Sequence, residues 1–186
     1  MYEKRWFQGM EVANGDEYYP QAHRWCLEKK LTMLGNSDIH DPDLRQESSS
    51  KDHRTMTLVF AKERSIPCLK EALVAGRTIV WIKDQLIGRE ELLSPFFASC
   101  IQINKPTIWS KTHIFVEVRN NCQADICLEP TGEVPPRSIV LPARSTVSVK
   151  VPVTNAITPV AFNCTVKNFV VAPGKSLAVT LQIPNP

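Results

Sequence analysis

The sequence predicts two architectures in tandem, an α/β unit followed by an antiparallel β-sandwich. Residues 9–35 read as strand, helix, strand, and residues 56–82 repeat the alternation. Beyond about Asn104 the helical spacing stops and short β-branched runs take over. These observations place an α/β portion at 1–103 and a β-domain at 104–186.

The first strand is Gly9–Ala13, with the polar exit Asn14-Gly15-Asp16. Pro20 opens a helix at a position that needs no N–H donor, and Ala22, Trp25, Cys26 and Lys29 follow at helical spacing. Leu31–Gly35 is the second strand, so 9–35 forms a βαβ unit, normally parallel and right-handed. Residues 41–55 are polar around Ser48-Ser49-Ser50-Lys51-Asp52-His53 and read as a long loop. Met56–Ala61 is strand-like. Ser65 is an N-cap candidate, with Pro67 in the first turn, Ile66, Leu69 and Leu73 on one face, and Gly76 as terminator. Thr78–Ile82 is another apolar strand, and 90 to about 103 suggests a last helix.

The β-domain reads as strands at 114–118, 138–141, 146–151, 162–169 and 177–183. Asn120-Asn121, Pro135-Pro136, Pro142-Ala143 and Pro173-Gly174-Lys175 punctuate them.

At 186 residues, with 43% hydrophobic and 22% charged residues, the composition is globular. A net charge of +3, with no basic run and no aromatic-basic interleaving, gives no nucleic-acid footprint. No stretch is long and apolar enough for a transmembrane helix, and no apolar signal core follows Met1–Trp6. The expected location is cytoplasmic for a complete chain, or periplasmic for a fragment of an exported parent. Six cysteines without a CxxC pair, most of them in apolar runs, read as buried free thiols. Cys122 and Cys164 fall in neighbouring β-type segments and are the first pair to check for a disulfide.

The chemistry-bearing element is Thr32–His40, an apolar strand ending in Ser37-Asp38-Ile39-His40. Side chains at i and i+2 of extended backbone point the same way, so Asp38 and His40 can converge. A carboxylate and an imidazole together suit zinc, manganese or iron. The bland alternative is a strand-to-loop turn in which Asp38 caps backbone N–H groups and His40 is merely exposed. Glu11, in an otherwise apolar strand, either supports a metal ligand through a hydrogen bond or lines a barrel paired with a base. Tyr18, Tyr19 and Trp25 face a substrate or simply pack at the helix entrance.

The run from Gly9-Met10-Glu11-Val12 to Gly35-Asn36-Ser37-Asp38-Ile39-His40 resembles the closing part of the PHP (polymerase and histidinol phosphatase) family. Residues 57–61 and 71–78 look like that family's last αβ elements, and the C-terminal segment looks like the small β-domain of a bacterial subgroup. The resemblance implies the C-terminal part of a distorted β/α barrel followed by a β-sandwich. It also implies a metal-dependent phosphoesterase that takes manganese, zinc or iron and acts on a phosphate ester. By the same resemblance Asp38 and His40 match the last metal-binding motif, whereas His23, His53 and His113 match no ligand position. The family's opening His-x-His motif and its middle ligands belong to earlier barrel strands, and this sequence supplies no match to them. The expectation is therefore an incomplete, inactive fragment with weak metal affinity or none. It self-associates or pairs with a separately encoded N-terminal half. The alternative is a non-catalytic interaction module in which the β-sandwich is the working part.

Overall fold

A computed structural model of the chain describes residues 7–40, 53–110, 112–131, 137–152 and 160–184. The chain forms two compact units, one of Met1–Leu93 with Phe169–Lys175, the other of Ser94–Asn168 with Ser176–Pro186. The division therefore falls near residue 93, with one later segment returning to the first unit.

In the first unit, strand β1 (Gly9–Asn14) turns through Gly15-Asp16 into the two-residue β2 (Glu17–Tyr18). Helix α1 (Pro20–Lys29) begins on Pro20, and strand β3 (Thr32–Asn36) runs parallel to β1. This is the expected βαβ unit. The α1 C-terminus is closed twice over. Lys30 takes a left-handed conformation (φ 54°), and Arg89 donates through Nη2 to the carbonyls of Cys26 (3.1 Å) and Leu31 (2.7 Å). A guanidinium among the last carbonyls of a helix satisfies them and complements the helix dipole.

Strand β4 (Met56–Val59), helix α2 (Ile66–Val74), strand β5 (Thr78–Ile82) and strand β6 (Gln85–Gly88) follow. The α2 boundaries are those the sequence marks. Ser65 Oγ accepts from Cys68 N–H (3.4 Å), and Gly76 lies at φ 70° just beyond the helix. The pairing differs from a parallel αβ cycle, because β4–β5 and β5–β6 are both antiparallel. Core residues Val12, Ala13, Cys26, Leu31, Met33, Val80, Ile82 and Ile87 pack into one cluster. Each large aliphatic side chain buried there stabilises the unit by about 1.5–3 kcal/mol.

The apolar face of α2 departs from expectation. Ala72 is its one buried residue, whereas Ile66 is 81% exposed and Leu69, Leu73 and Val74 are also exposed. Contiguous exposed apolar surface of this kind favours association. The chain is expected to self-associate at tens of micromolar, and the double variant Ile66→Asp/Leu69→Lys to shift it toward monomer. Light scattering across a dilution series measures this, and a wild-type chain monomeric throughout refutes it.

Helix α3 (Glu90–Cys100) crosses the division and gives way to β7 (Ile101–Ile103), where sequence reading had continued the helix. In the second unit, β8 (Ile108–Trp109) and β9 (His113–Asn120) lead to β10 (Ile126–Pro130) and β11 (Ile139–Leu141). Strands β12 (Thr146–Pro152), β13 (Val160–Ala172) and β14 (Lys175–Ile183) complete the chain. One sheet has the order β12-β9-β7, with β8 also on β9. In the other, β10 pairs with β11 on one side and β13 on the other, and β14 pairs with β13. Alternate residues Ile114, Val116 and Val118 of β9 are buried, as are Val149 and Val151 of β12. That period of two is what a sheet with one covered face requires. The end of β13 belongs to the first unit, where Phe169 and Val170 run parallel to Leu86 and Ile87 of β6.

Candidate functional site

Asp38 and His40 lie just past β3, and the structure brings them together: His40 Nε2 is 3.4 Å from Asp38 Oδ1. The cause is not the pleat of an extended strand. Asp38 has φ 53°, in the left-handed region that Asp tolerates better than most non-glycine residues. The chain turns at Asp38 and carries His40 back onto its carboxylate. Both side chains are largely in water, 58% and 84% exposed, so the pair contributes little to stability.

Three features fix the turn. Gly15 N–H donates to Asn36 O (2.9 Å) at the end of the β1–β3 ladder. Thr55 Oγ1 donates to Gly15 O (2.5 Å), and Thr57 Oγ1 both accepts from Gly35 N–H (2.8 Å) and donates to Gly35 O (2.9 Å). Gly35 itself must be glycine, since a Cβ there would lie 2.3 Å from Val80 Cγ1.

Glu11 sits on β1 opposite Leu34 of β3, beside a register shift between Glu11 and Ala13. Its carboxylate accepts from Asn14 Nδ2 (3.2 Å) and from Asn36 Nδ2. Glu11 is thus partnered by two amides rather than by a base. Tyr19 was not a metal-site candidate in sequence, yet it faces this patch. Its hydroxyl donates to Glu17 Oε2 (3.2 Å). Desolvation first, then the Glu17 hydrogen bond and the charges of Glu17, Glu11 and Asp38, push its pKa up. Those charges mark a region of negative potential around the Asp38–His40 turn. Trp25 is 42% exposed on α1.

The other histidines have different environments. His53 lies against Trp81 (centroids 3.9 Å apart), with Nε2 2.7 Å from Lys83 O. In the second unit His113 Nδ1 is 3.0 Å from Thr112 Oγ1 and 3.2 Å from Ser110 Oγ. His23 is fully buried, with Nδ1 2.8 Å from Tyr18 OH. Burial raises the Tyr18 phenol to about 12, so it keeps its proton beside His23. Burial first, then the Arg89 charge, lowers His23 to about 4.

That shift has a pH consequence. The unfolded histidine titrates near 6.5 and the folded one near 4, so below about pH 6.5 the unfolded state binds more protons. Stability is complete above pH 6.5, falls as pH drops toward 4, and loses about 3 kcal/mol in all through this group. Denaturant midpoints between pH 7 and pH 4 should show the loss, and His23→Phe should flatten the slope. An unchanged slope in that variant assigns the acid sensitivity elsewhere.

The donor chemistry suits a metal in part. Asp38 Oδ1 and His40 Nε2 are borderline-to-hard donors, and 3.4 Å is close to the ligand–ligand separation on one tetrahedral ion with bonds of about 2.0–2.1 Å. Among the described residues, however, no group of three or more His, Cys, Asp or Glu side chains is arranged to hold a metal. A separate cavity of about 650 Å³ in this unit is lined by Lys30, Arg77, Arg89, Glu90 and Lys175 among others, and by none of Asp38, His40 or Glu11.

Comparison with known proteins fits this division of features. Residues 101–182 match a family model described as an Ig-like domain. The Ig-like match thus covers most of the second unit, and among the described residues the chain is mostly β with three helices. Over 98% of its length the chain is similar to a crystal structure from Bacteroides vulgatus. That structure is a two-domain protein containing a predicted PHP-like metal-dependent phosphoesterase, with 38% identity and a TM-score of 0.88. The chain spans 54% of that protein's length. No curated protein matches the chain. Among the described residues no helix is long and apolar enough to cross a membrane.

Proposed function

We propose that this chain contributes the last two metal ligands, Asp38 and His40, of a metal-dependent phosphoesterase of the PHP type. The observation that carries the reading is the 3.4 Å approach of Asp38 and His40 in a chain 38% identical to the Bacteroides vulgatus protein. In this reading residues 1–103 are the closing portion of a PHP-type barrel and 104–186 its accessory β-domain. The substrate is a phosphate ester, and the metal is manganese, zinc or iron. A bound metal would supply Lewis-acid polarisation of phosphoryl oxygens and a water of lowered pKa. Asp38 and His40 would hold and orient it, Glu11 would fix the Asn14 and Asn36 amides, and Tyr19 would offer its hydroxyl to a substrate oxygen.

Two ligands leave a metal mostly hydrated, and catalytic metals normally take at least three protein ligands. The remaining ligands would come from a segment corresponding to the part of the relative that this chain does not cover. The chain alone, with manganese or zinc, is expected to show negligible hydrolysis of an aryl phosphate. Co-expression with that segment should restore turnover, and His40→Ala should remove it. Restored turnover indifferent to His40 and Asp38 would sink the assignment.

A second reading is favoured by the Ig-like match and the exposed α2 face: a non-catalytic interaction module, with the β-domain as the working part. It is upheld if the assembled pair stays inactive while the two segments still bind one another.

A further inference from the structure

The cysteines of the β-domain are not equivalent. Cys100 closes α3 and Cys122 follows β9, and the β7–β9 ladder sets Ile101 against Asn120. Asn121 N–H donates to Cys100 O (2.7 Å), which holds the two segments together at the ladder's end. Across that junction the Cys100 and Cys122 side chains come within reach of one another. Cys122 Sγ also accepts from Ala124 N–H (3.4 Å), and its own N–H is held by Asn120 Oδ1 (2.9 Å). Arg144 approaches from the turn before β12, its N–H donating to Cys122 O (3.1 Å). Cys100 is 5% exposed and Cys122 is partly exposed.

We propose that Cys122 and Cys100 form a thiol–disulfide exchange site in the β-domain, with Cys122 as the attacking thiolate and Cys100 as the resolving thiol. The arrangement supplies what each role needs. Sulfur is a nucleophile as the thiolate, and N–H donors with a nearby guanidinium stabilise that form. The Cys100 hydrogen bond, then the Ala124 and Gln123 N–H groups and the Arg144 charge, lower the pKa of Cys122 against the opposing effect of burial. The same hydrogen bond and burial push Cys100 up, so it keeps its proton until Cys122 has reacted. Cys26 and Cys164 are buried with pKa values raised to about 11, Cys26 in spite of the Arg89 charge. Cys122 and Cys164, the pair put forward because they fall in neighbouring β-type segments, are both free thiols.

The co-reactant is a disulfide, RSSR, of small-molecule or protein origin. Cys122 thiolate attacks one sulfur, an S–S bond breaks, and RS⁻ leaves with the electron pair. Cys100 then loses its proton to solvent, attacks Cys122 Sγ in the mixed disulfide and expels a second RS⁻. Two protein thiols are oxidised to one disulfide, and RSSR is reduced to two thiols. The β7–β9 register and the Asn121–Cys100 bond hold the two segments side by side, as closure to an S–S bond of about 2.05 Å requires.

The probe is glutathione disulfide with the full chain, read by intact mass and by tryptic mapping. The expected product loses two hydrogen atoms and links peptide 90–111 to peptide 120–137. The second peptide also contains Cys127, so the linkage must survive in Cys127→Ser. Cys100→Ser should accumulate one glutathione on Cys122, and Cys122→Ser should form neither adduct nor link. In the folded chain, Cys122 should react about tenfold or more faster than Cys164. Circular dichroism confirms that each variant is folded. Linkage through Cys127 or Cys164, or a folded chain in which Cys122 reacts no faster than the buried thiols, overturns the proposal.

Discussion

Gly35→Ala is expected to lower the stability of the first unit by about 2–3 kcal/mol and to disturb the Asp38–His40 turn with it. The new Cβ would stand 2.3 Å from Val80 Cγ1, and 3.2 Å from Thr55 Cγ2. Val80 cannot easily yield. It is β-branched, fully buried, and lies on β5 between β4 and β6. Thr55 is held by its bond to Gly15 O, so the strain passes to β3 itself. A retreating β3 stretches the paired bonds between Gly35 and the Thr57 hydroxyl, three residues before Asp38. Denaturant unfolding measures the cost, and the partner variant tests its cause. Val80→Ala alone leaves a cavity and destabilises, but in the Gly35→Ala background it should be neutral or restorative. Additive losses in the double variant would mean that the strain does not arise at this contact.

The sequence was most legible where single residues punctuate the chain. Pro20, Ser65 and Gly76 mark helix ends and stand there in the structure. The alternating burial of β9 and β12 was equally readable. Other elements carry no such marker. The β5–β6 hairpin turns at Lys83-Asp84, with Lys83 at φ 50°, instead of the Asn-Gly or Asp-Gly that announces a two-residue turn. Strand β7 continues the apolar run of α3 without a break, so the helix was read too far. Helix α2 looked amphipathic, yet nothing among the described residues covers Ile66 or Leu69. Periodicity marks an apolar face without saying what meets it.

The Asp38–His40 pair was legible for a reason the structure replaces. The i, i+2 spacing presumed extended backbone, whereas a left-handed Asp38 makes the contact. The partners of Glu11 and the Glu17 bond of Tyr19 were not legible, because they are assembled from β1, β2 and the end of β3. The Cys100–Cys122 contact was hidden likewise. Neighbouring β-type segments favoured Cys164, whereas the β7–β9 register sets the Cys100 segment beside that of Cys122.

Asn120→Leu is expected to be the most damaging single change in the β-domain. Asn120 is fully buried, and its Nδ2 lies within hydrogen-bond range of three carbonyls: Ala124 O and Leu141 O at 2.9 Å, Pro142 O at 3.2 Å. Its Oδ1 accepts the Cys122 N–H at 2.9 Å. One amide thus ties the end of β9 to the chain beyond it and to the end of β11. Leucine fills a similar volume but leaves these backbone groups buried without their partner, at about 1–3 kcal/mol for each one not rescued by water. A total loss of about 3 kcal/mol or more is expected, a fall of roughly 10 °C in melting temperature for a chain of this size. Asn121→Ala, one residue on and partly exposed, is the control; its loss should stay within about 0.5 kcal/mol. The Leu variant should also loosen Cys122, whose N–H then has no acceptor. Glutathione disulfide should react with it less selectively even below its melting point. A variant that melts within about 2 °C of wild type would mean that the carbonyls of Ala124 and Leu141 find other donors, and that Asn120 does not hold this corner of the sandwich.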